Sequence, residues 1–259
     1  MLKNKKNYLD KDISVKSKFK ILQNYIKNNK IFRFLLLILN PIDLINKIKN
    51  YKIDKFKVVK INWKLRTEKY GKYGVISTDT PQSEFNYVTN LQKKIMFSNL
   101  RRFVTKKEKK ILDYGCGSGR FSEELTKINH KAKVIAVDTE KKLISLAQPK
   151  NRVTYVWLKN LSQIKMKFDI IFIANVLGGI EKKSLPKLIS FLISKLNKNG
   201  IIFLSEHISN KKIQGPEILK GWAFRDDDFY LRLFKKVLLK KVDEYKYNDY
   251  RTSIYVGKK

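Results

Sequence analysis

One stretch of the sequence, K-I-L-D-Y-G-C-G-S-G-R-F-S-E-E-L-T-K-I-N-H-K-A-K-V-I-A-V-D, decides the fold and runs from Lys110 to Asp138. Ile111 and Leu112 belong to a short apolar run that is typical of a buried strand. A glycine-rich turn follows, and then a predicted helix over about 120–129. Val134–Val137 predicts a second strand, which ends on an acid. This order of strand, turn, helix and strand is typical of a parallel α/β sheet.

The glycine-rich turn predicts a loop that binds a cofactor. Gly115, Gly117 and Gly119 alternate, so the backbone can turn sharply and approach a ligand closely. A dinucleotide-binding pattern would place its third glycine where this chain has Arg120. Asp113, at the end of the first strand, would repel a pyrophosphate on the helix N-terminus. S-adenosylmethionine carries an ammonium and a sulfonium and no phosphate, so an acid at this position favours that cofactor.

Two more polar residues follow predicted strands. Asp138 ends the second strand and can accept hydrogen bonds from both hydroxyls of a ribose, as acids do in nucleotide-binding α/β folds. Asn175 follows the apolar run Phe168–Ala174, which predicts a central strand buried on both faces. Open α/β sheets bind ligands at the carboxyl ends of their strands. Both residues are therefore candidates for cofactor binding.

At these motifs the chain resembles the class I S-adenosylmethionine-dependent methyltransferases. D-Y-G-C-G-S-G-R, Asp113–Arg120, is similar to the first motif of that family, and V-I-A-V-D, Val134–Asp138, is similar to the second. Phe168–Ile180 resembles its fourth strand and the following turn, and Leu196–Glu206 resembles the turn into its fifth strand. The resemblance extends from about Trp63 to the C-terminus. It implies a doubly wound α/β fold with a seven-stranded, mostly parallel sheet and a C-terminal antiparallel hairpin.

The resemblance also implies S-adenosyl-L-methionine as the cofactor and a set of residues that bind it. Relatives commonly carry an acid after the third strand that binds the adenine amino group. This chain has Lys159-Asn160 there, so the Asn160 amide is the candidate substitute. The candidate cofactor-binding residues are Asp113, Gly115, Cys116, Gly117, Gly119, Asp138, Thr139, Asn160 and Asn175. No metal site is expected.

Three residues are candidate catalytic bases. Glu206 and His207 follow a predicted strand, Ile201–Leu204, at its functional end, and Asp226 precedes a predicted helix. Methyl transfer to a hydroxyl requires removal of its proton, whereas an amine needs only its neutral form. These candidates therefore leave O-methylation and N-methylation both open.

Four aromatic residues and one arginine, on two segments, are candidates for binding the methyl acceptor. Trp63, Tyr70 and Tyr73 lie upstream of the core, where the family usually places a substrate-side lid. Trp222 and Arg225 lie in a segment expected to return over the pocket. The alternative is that these side chains only pack the lid and the loop onto the core. Many relatives have Glu-His where this chain has Gly178-Gly179, a pair that leaves room for a bulky acceptor or simply forms a turn.

The formal net charge of +34 is extreme for 259 residues and, taken alone, would favour nucleic acid or an anionic membrane as a partner. Most of the 57 basic residues are Lys, however, which accompanies Asn and Ile in A/T-rich codon usage and binds phosphate less specifically than Arg. The motif N-P-P-Y of exocyclic amino methyltransferases of DNA is replaced by A-N-V-L, and Cys116 is not placed for cytosine C5 chemistry. Nucleic acid is therefore disfavoured.

The sequence predicts three segments: a basic helical N-terminal extension over 1–60, a lid and lead-in helix over 61–108, and the methyltransferase core over 109–259. Residues 14–50 form basic amphipathic patterns that suit an anionic membrane surface, or that cap the core or a second subunit. The apolar run Ile31–Leu39 is too short to span a bilayer. A single cysteine and no evident secretory signal favour the cytoplasm, with peripheral membrane contact as an open alternative.

Three functions remain open at this point. The first is methyl transfer to an O or N acceptor on a small molecule or a lipid-linked sugar. The second is methylation of protein N-terminal amines, because Y-G-V-I-S, V-L-G-G-I and the helix start at Arg225-Asp226 resemble such enzymes, although those carry an acid-Asn pair where this chain has Glu206-His207. The third is a non-catalytic S-adenosylmethionine-binding module, which would predict a damaged first motif; the motif here is intact.

Overall fold

The computed structural model describes residues 61–77, 80–209, 217–219, 221–247 and 250–259. The predicted N-terminal extension, including the proposed membrane-binding residues 14–50, lies outside the described residues. The chain divides into two units, Met1–Val58 and Val59–Lys259, and every described residue belongs to the second unit.

The second unit is built on a seven-stranded sheet with the order β3-β2-β1-β4-β5-β9-β8. Pairs among the first five strands of that order are parallel, whereas β9 runs antiparallel to both β5 and β8. This arrangement confirms the predicted doubly wound sheet with a C-terminal hairpin. The strands of the sheet are β1 Lys110–Tyr114, β2 Lys133–Asp138, β3 Val153–Trp157, β4 Phe168–Ala174, β5 Leu196–Ile208, β8 Lys240–Tyr247 and β9 Tyr250–Lys258. A separate small sheet pairs β6 Glu217–Leu219 with β7 Trp222–Phe224.

Helices cover both faces of the sheet. They are α1 Trp63–Tyr70, α2 Phe85–Arg101, α3 Ser122–Leu125, α4 Lys141–Ser145, α5 Leu185–Ser194 and α6 Asp227–Leu233. On one face Phe172 of β4 stacks between Phe97 of α2 and Phe203 of β5, with ring centroids 5.6 and 5.1 Å apart. On the other face Ile171 and Ile173 pack in a cluster with residues of α5 and α6. Because successive residues of β4 face opposite layers and both layers are apolar, the whole strand is apolar.

Two predicted elements differ in length from the observed ones. The helix after the glycine loop is regular only over Ser122–Leu125, since the amides of Thr126, Lys127 and Ile128 bond to carbonyls three residues back and tighten the chain into turns. The fifth strand continues beyond Leu204 to Ile208, because it pairs with β9 over that whole distance. This longer strand changes the direction of the candidate bases, as shown below.

The lid consists of α1 and the 3-10 turn that follows it, and Arg66 joins the two. The Arg66 Nε donates to the carbonyl of Gly74 and its Nη2 donates to the carbonyl of Ile76, both at 2.6 Å. The same guanidinium lies 5.5 Å from the centre of the Trp63 ring. Arg66 therefore holds α1 and the following 3-10 turn, Gly71–Val75, as one piece. None of the helices in the described part of the chain is both long and apolar enough to cross a membrane.

Candidate active site

A cavity of about 300 Å³, here called the first cavity, lies at the carboxyl ends of β1, β2 and β4. Parallel strands bring their carboxyl ends to one edge of a sheet, so residues distant in sequence meet there. Five predicted cofactor-binding side chains line it, and Arg120, which was not predicted, lines it as well. The five are Asp113, Cys116, Asp138, Thr139 and Asn175.

The glycine loop approaches two other segments too closely for any side chain. A Cβ on Gly115 would lie 2.5 Å from Val176 after β4, and a Cβ on Gly117 would lie 2.8 Å from Val75 of the lid. Both glycines also have positive φ, 74° and 58°. The loop, the lid and the turn after β4 therefore close around the first cavity together. Gly119 lies against the ring of Tyr155, behind the cavity wall.

Two carboxylates face the first cavity, of which Asp113 is buried and Asp138 is half-buried. Asp138 Oδ2 accepts from the amide of Gly117 at 2.9 Å, and its Oδ1 accepts from the amide of Glu140 at 2.8 Å. Asp138 therefore fixes the glycine loop to the end of β2. Asp113 Oδ2 accepts from the hydroxyl of Ser122 at 2.7 Å. Burial raises the pKa of both, and for Asp113 the value reaches about 7 despite the hydrogen bond from Ser122. Each carboxylate is held in a place where a cationic or hydroxyl ligand would stabilise its charge.

Arg120 is a site residue that the sequence reasoning missed. Its Nη2 donates to Gln92 Oε1 at 2.7 Å, and its guanidinium lies 4.5 Å from the centre of the Phe121 ring. Its Nη1 is buried and has no hydrogen-bond partner in the described part of the chain. Burial lowers the pKa of Arg120 to about 10. The signal was its position at the end of the glycine motif, where it was used only to exclude a dinucleotide pattern.

A second cavity of about 100 Å³ adjoins the first. Trp63, Val75, Arg120 and Asn175 line both cavities, so these four residues form the shared wall. Aromatic rings make up much of the remaining surface of the second cavity. They belong to His207, Trp222, Phe224, Tyr245, Tyr247 and Tyr250.

His207 is the predicted base that does reach a cavity. It lines the second cavity, and its Nδ1 lies 2.8 Å from Thr252 Oγ1. Its ring centroid lies 5.4 Å from that of Tyr250 and 6.3 Å from that of Phe224. Burial and, to a smaller extent, the charge of Arg120 lower the pKa of His207 to about 4. The imidazole is therefore neutral at pH 7 and a weak base.

A model described as a methyltransferase domain matches residues 84–237, which is more than half of the chain.

The chain belongs to this methyltransferase family.

Curated methyltransferases match part of the sequence. The chain is 26% identical over 129 residues to malonyl-[acyl-carrier protein] O-methyltransferase of Bacillus anthracis, covering 47% of each protein. It is 33% identical over 117 residues to a probable cobalt-precorrin-6B C(15)-methyltransferase of Saccharolobus solfataricus, covering 40% of this chain and 56% of the relative. The chain spans about half the length of the curated relatives it matches.

Solved structures share the fold at low sequence identity. N-methyltransferase NodS of Bradyrhizobium japonicum superposes with a TM-score of 0.56 at 14% identity, covering 76% of this chain and 98% of that one. A SAM-dependent methyltransferase of Leishmania major superposes with a TM-score of 0.57 at 20% identity, covering 74% and 78%. Together with the family match, these structures confirm the predicted class I methyltransferase superfamily, its fold and S-adenosyl-L-methionine as its cofactor.

Glu206 has a different position in this methyltransferase from the one predicted. Its side chain is 0% exposed, and its carboxylate accepts from the amides of Val176 and Leu177 at 2.7 Å and of Gly178 at 3.3 Å. Neighbouring residues of a strand point to opposite faces. Because β5 extends through both residues, His207 faces the second cavity and Glu206 faces away from it. Burial raises the pKa of Glu206 to about 7, while the three amides oppose that shift.

Arg225 holds the same turn from the other side. Its Nη1 donates to the carbonyl of Leu177 at 2.6 Å, and its Nη2 donates to the carbonyl of Ile180 at 2.8 Å. Arg225 therefore does not line either cavity, contrary to the sequence prediction. We call Glu206 and Arg225 the clamp, because they bind the amides and the carbonyls of residues 176–180.

Trp222 fills the space left by the glycine pair. A Cβ on Gly178 would lie 2.1 Å from the Nε1 of Trp222, so the indole packs directly on the turn that the clamp holds. The same ring lines the second cavity. The sequence left two possibilities open for Gly178-Gly179, room for a bulky acceptor or a simple turn. The structure shows a 3-10 turn, Leu177–Gly179, and the space beside its glycines is filled by Trp222.

Four other candidates make contacts outside the cavity walls that the structure describes. Asp226 caps α6 by accepting from the amide of Phe229 at 2.7 Å. Asn160 caps the 3-10 turn Leu161–Gln163 and does not line the first cavity, whereas Leu158 does.

The two tyrosines of the lid pack against neighbouring side chains. The Tyr73 ring packs edge-on against Phe85, and the Tyr70 ring lies 5.1 Å from Lys69 Nζ. Local capping and packing explain these side chains.

Within the described residues, no group of three His, Cys, Asp or Glu side chains could hold a metal ion.

We expect the substitution Glu206→Gln to weaken the binding of S-adenosylhomocysteine by about tenfold or more. A glutamine keeps one oxygen for the amides of Val176 and Leu177 but turns its NH2 group toward the amide of Gly178, so that two donors face each other. This mismatch costs about 1–3 kcal/mol and loosens the turn beside both cavities. Isothermal titration measures the affinity, and urea unfolding measures the free energy of unfolding.

Asp169→Asn is the matched control for that substitution. Asp169 accepts from the amides of Lys109 and Lys110 at 2.9 Å, but it does so at the opposite edge of the sheet. We expect it to lower stability without changing the affinity. Equal losses of affinity in the two variants would show that the clamp acts only through global stability.

Proposed function

We propose that the chain transfers a methyl group from S-adenosylmethionine to an O or N acceptor on a small molecule, including a sugar on a lipid carrier. The observation that supports this is the shared wall, because Trp63, Val75, Arg120 and Asn175 each face both a polar first cavity and an aromatic second cavity. A transfer reaction needs two ligands that meet at such a wall. A module that only bound the cofactor would not need the second cavity.

The first cavity has charges that complement the cofactor. The amino acid end of S-adenosylmethionine is a zwitterion, and Asp113 and Arg120 supply a buried negative and a buried positive group in the same wall. The unpartnered Nη1 of Arg120 suits the carboxylate of the ligand, and Asp113 suits its ammonium. Asp138 lies at the end of β2, where its oxygens suit the ribose hydroxyls. Cys116 and Thr139 complete the wall between these groups.

When bound, this cofactor supplies a methyl group that is activated by its attachment to a sulfonium. The protein's contribution is orientation and the exclusion of water. Gly117 packs against Val75 of the lid, and Arg66 ties that part of the lid to α1. Trp63 extends from the same helix to both cavities. The lid therefore shields the point where the two ligands would meet.

The volume of the second cavity favours a small acceptor group. About 100 Å³ accommodates the reactive end of a ligand and not a folded chain. Methylation of protein N-terminal amines stays an alternative in which only the terminal residue would enter. The curated relatives are named for acceptors as different as malonyl-[acyl-carrier protein] and cobalt-precorrin-6B.

We expect isothermal titration to show binding of S-adenosylmethionine and S-adenosylhomocysteine. The variant with both Asp113→Ala and Asp138→Ala should bind each at least about a hundredfold more weakly, because two buried contacts to the ligand are lost. Circular dichroism should show that the variant is folded. Wild-type protein that is folded and binds neither compound would contradict the proposed function.

The affinity for S-adenosylhomocysteine should fall as the pH falls. Asp113 has a pKa of about 7, so its carboxylate is mostly ionised at pH 8 and mostly protonated at pH 6. A protonated carboxyl no longer attracts the ammonium of the ligand, and we expect binding about tenfold weaker at pH 6 than at pH 8. Asp113→Asn should bind weakly at both values. A wild-type affinity that is the same at both values would refute this role of Asp113.

Peripheral membrane contact through residues 14–50 is a separate proposal that rests on the sequence alone. Lys-rich amphipathic segments bind anionic lipids through charge and apolar contact, and salt weakens the charge term. The full chain should sediment with vesicles of phosphatidylserine and phosphatidylcholine at low salt and be released at high salt. Vesicles of phosphatidylcholine alone are the control. Equal recovery in the supernatant with both vesicle types at low salt would reject the contact.

A further inference from the structure

Asn175 has an unused hydrogen-bonding group at the wall shared by the cavities. Its backbone N–H donates to the backbone carbonyl of Ser205 at 2.8 Å, which fixes the chain at the end of β4. Its Oδ1 is buried and has no hydrogen-bond partner in the described part of the chain. A buried carbonyl oxygen without a donor is unfavourable. Turning the side-chain amide about its last bond brings this oxygen to the cavity, where a ligand that supplies a donor would pair with it.

The three candidate bases predicted from the sequence are committed elsewhere or are weak. The Glu206 carboxylate is bound to amides of the turn, and the Asp226 carboxylate caps α6. His207 lines the second cavity, and its pKa is lowered to about 4. A hydroxyl nucleophile depends on such a base, whereas an amine in its neutral form already has a free lone pair. The second cavity therefore suits an amine better than a hydroxyl.

We propose that the acceptor is an amine and that Asn175 is a catalytic residue that binds it, with the side-chain carbonyl oxygen accepting one N–H of the nucleophile. This inference rests on the proposed function and specifies the acceptor of the same site. The hydrogen bond from this N–H to the Asn175 oxygen leaves the lone pair of the amine free to point at the methyl carbon.

The transfer step balances without a further reactant. The amine nitrogen forms a bond to the methyl carbon with its lone pair, and the carbon–sulfur pair stays on sulfur. The methylated nitrogen carries the positive charge that the sulfur loses, and it then releases one proton to water. Trp63, Phe224 and Tyr250 line the cavity that holds the rest of the acceptor, so the amine is carried on an apolar or aromatic framework.

Sinefungin tests the position of the Asn175 oxygen without knowledge of the acceptor. It resembles S-adenosylhomocysteine but carries an amine in place of the transferred methyl group, so its N–H groups lie at the shared wall. We expect wild-type protein to bind sinefungin about tenfold more tightly than S-adenosylhomocysteine in isothermal titration. Contacts to the common part of both compounds cancel in the ratio of the two affinities.

Asn175→Gly should reduce that ratio to about one, and Asn175→Asp should raise it. Glycine tolerates the positive φ of 54° at this position, so the side chain is removed without backbone strain. Asn199→Gly is the matched control, because Asn199 also has a positive φ, 62°, but is exposed at the far edge of the sheet. It should keep the wild-type ratio.

The outcomes separate this inference from the proposed function. Binding of both compounds with an unchanged ratio in Asn175→Gly would overturn the role of Asn175 and leave the cofactor site intact. A wild-type ratio near one would overturn it as well, because the oxygen would then not face the transferred group. Failure of the wild-type protein to bind either compound would contradict the proposed function itself.

Discussion

The hydrogen bonds of the Glu206 carboxylate are the interaction on which both cavities depend. They join β5 to the turn after β4, whose residues Val176, Gly179 and Ile180 line the first cavity. Trp222 packs on the same turn and lines the second cavity. Without an acceptor, the amides of this buried turn would lack partners, which is costly in a low-dielectric interior. One buried carboxylate therefore positions the walls for two different ligands.

The charges of the first cavity favour a bound ligand over an empty site. Asp113 has a pKa of about 7 in the folded chain against a reference value of 3.8. At a pH between these two values, folding is therefore accompanied by the uptake of a proton. The contribution of Asp113 therefore lowers the stability of the empty protein as the pH rises through that range. A ligand that brings an ammonium to Asp113 and a carboxylate to Arg120 would offset the cost of burying both groups. The charges of the site thus complement those of a zwitterion.

The sequence predicted what depends on local pattern and on chain order. The glycine motif, the apolar strand Phe168–Ala174 and the acid at Asp138 each carry their own signal, and parallel topology then brings their ends to one edge. The direction of Glu206 could not be predicted in this way, because it depends on how far β5 pairs with β9. Arg225 was misplaced for a similar reason, since its partners are carbonyls of a turn more than forty residues away.

The identity of residue 175 shows how backbone and charge together restrict a site. Its φ of 54° favours glycine, asparagine or aspartate over other residues. Glycine would place no polar atom between the two cavities. Aspartate would add a further carboxylate to a wall that already contains buried Asp113 and half-buried Asp138, and neighbouring carboxylates raise one another's pKa. Asparagine supplies a hydrogen-bond acceptor at this point without a charge, which is what a cavity shared by a sulfonium and a neutral nucleophile requires.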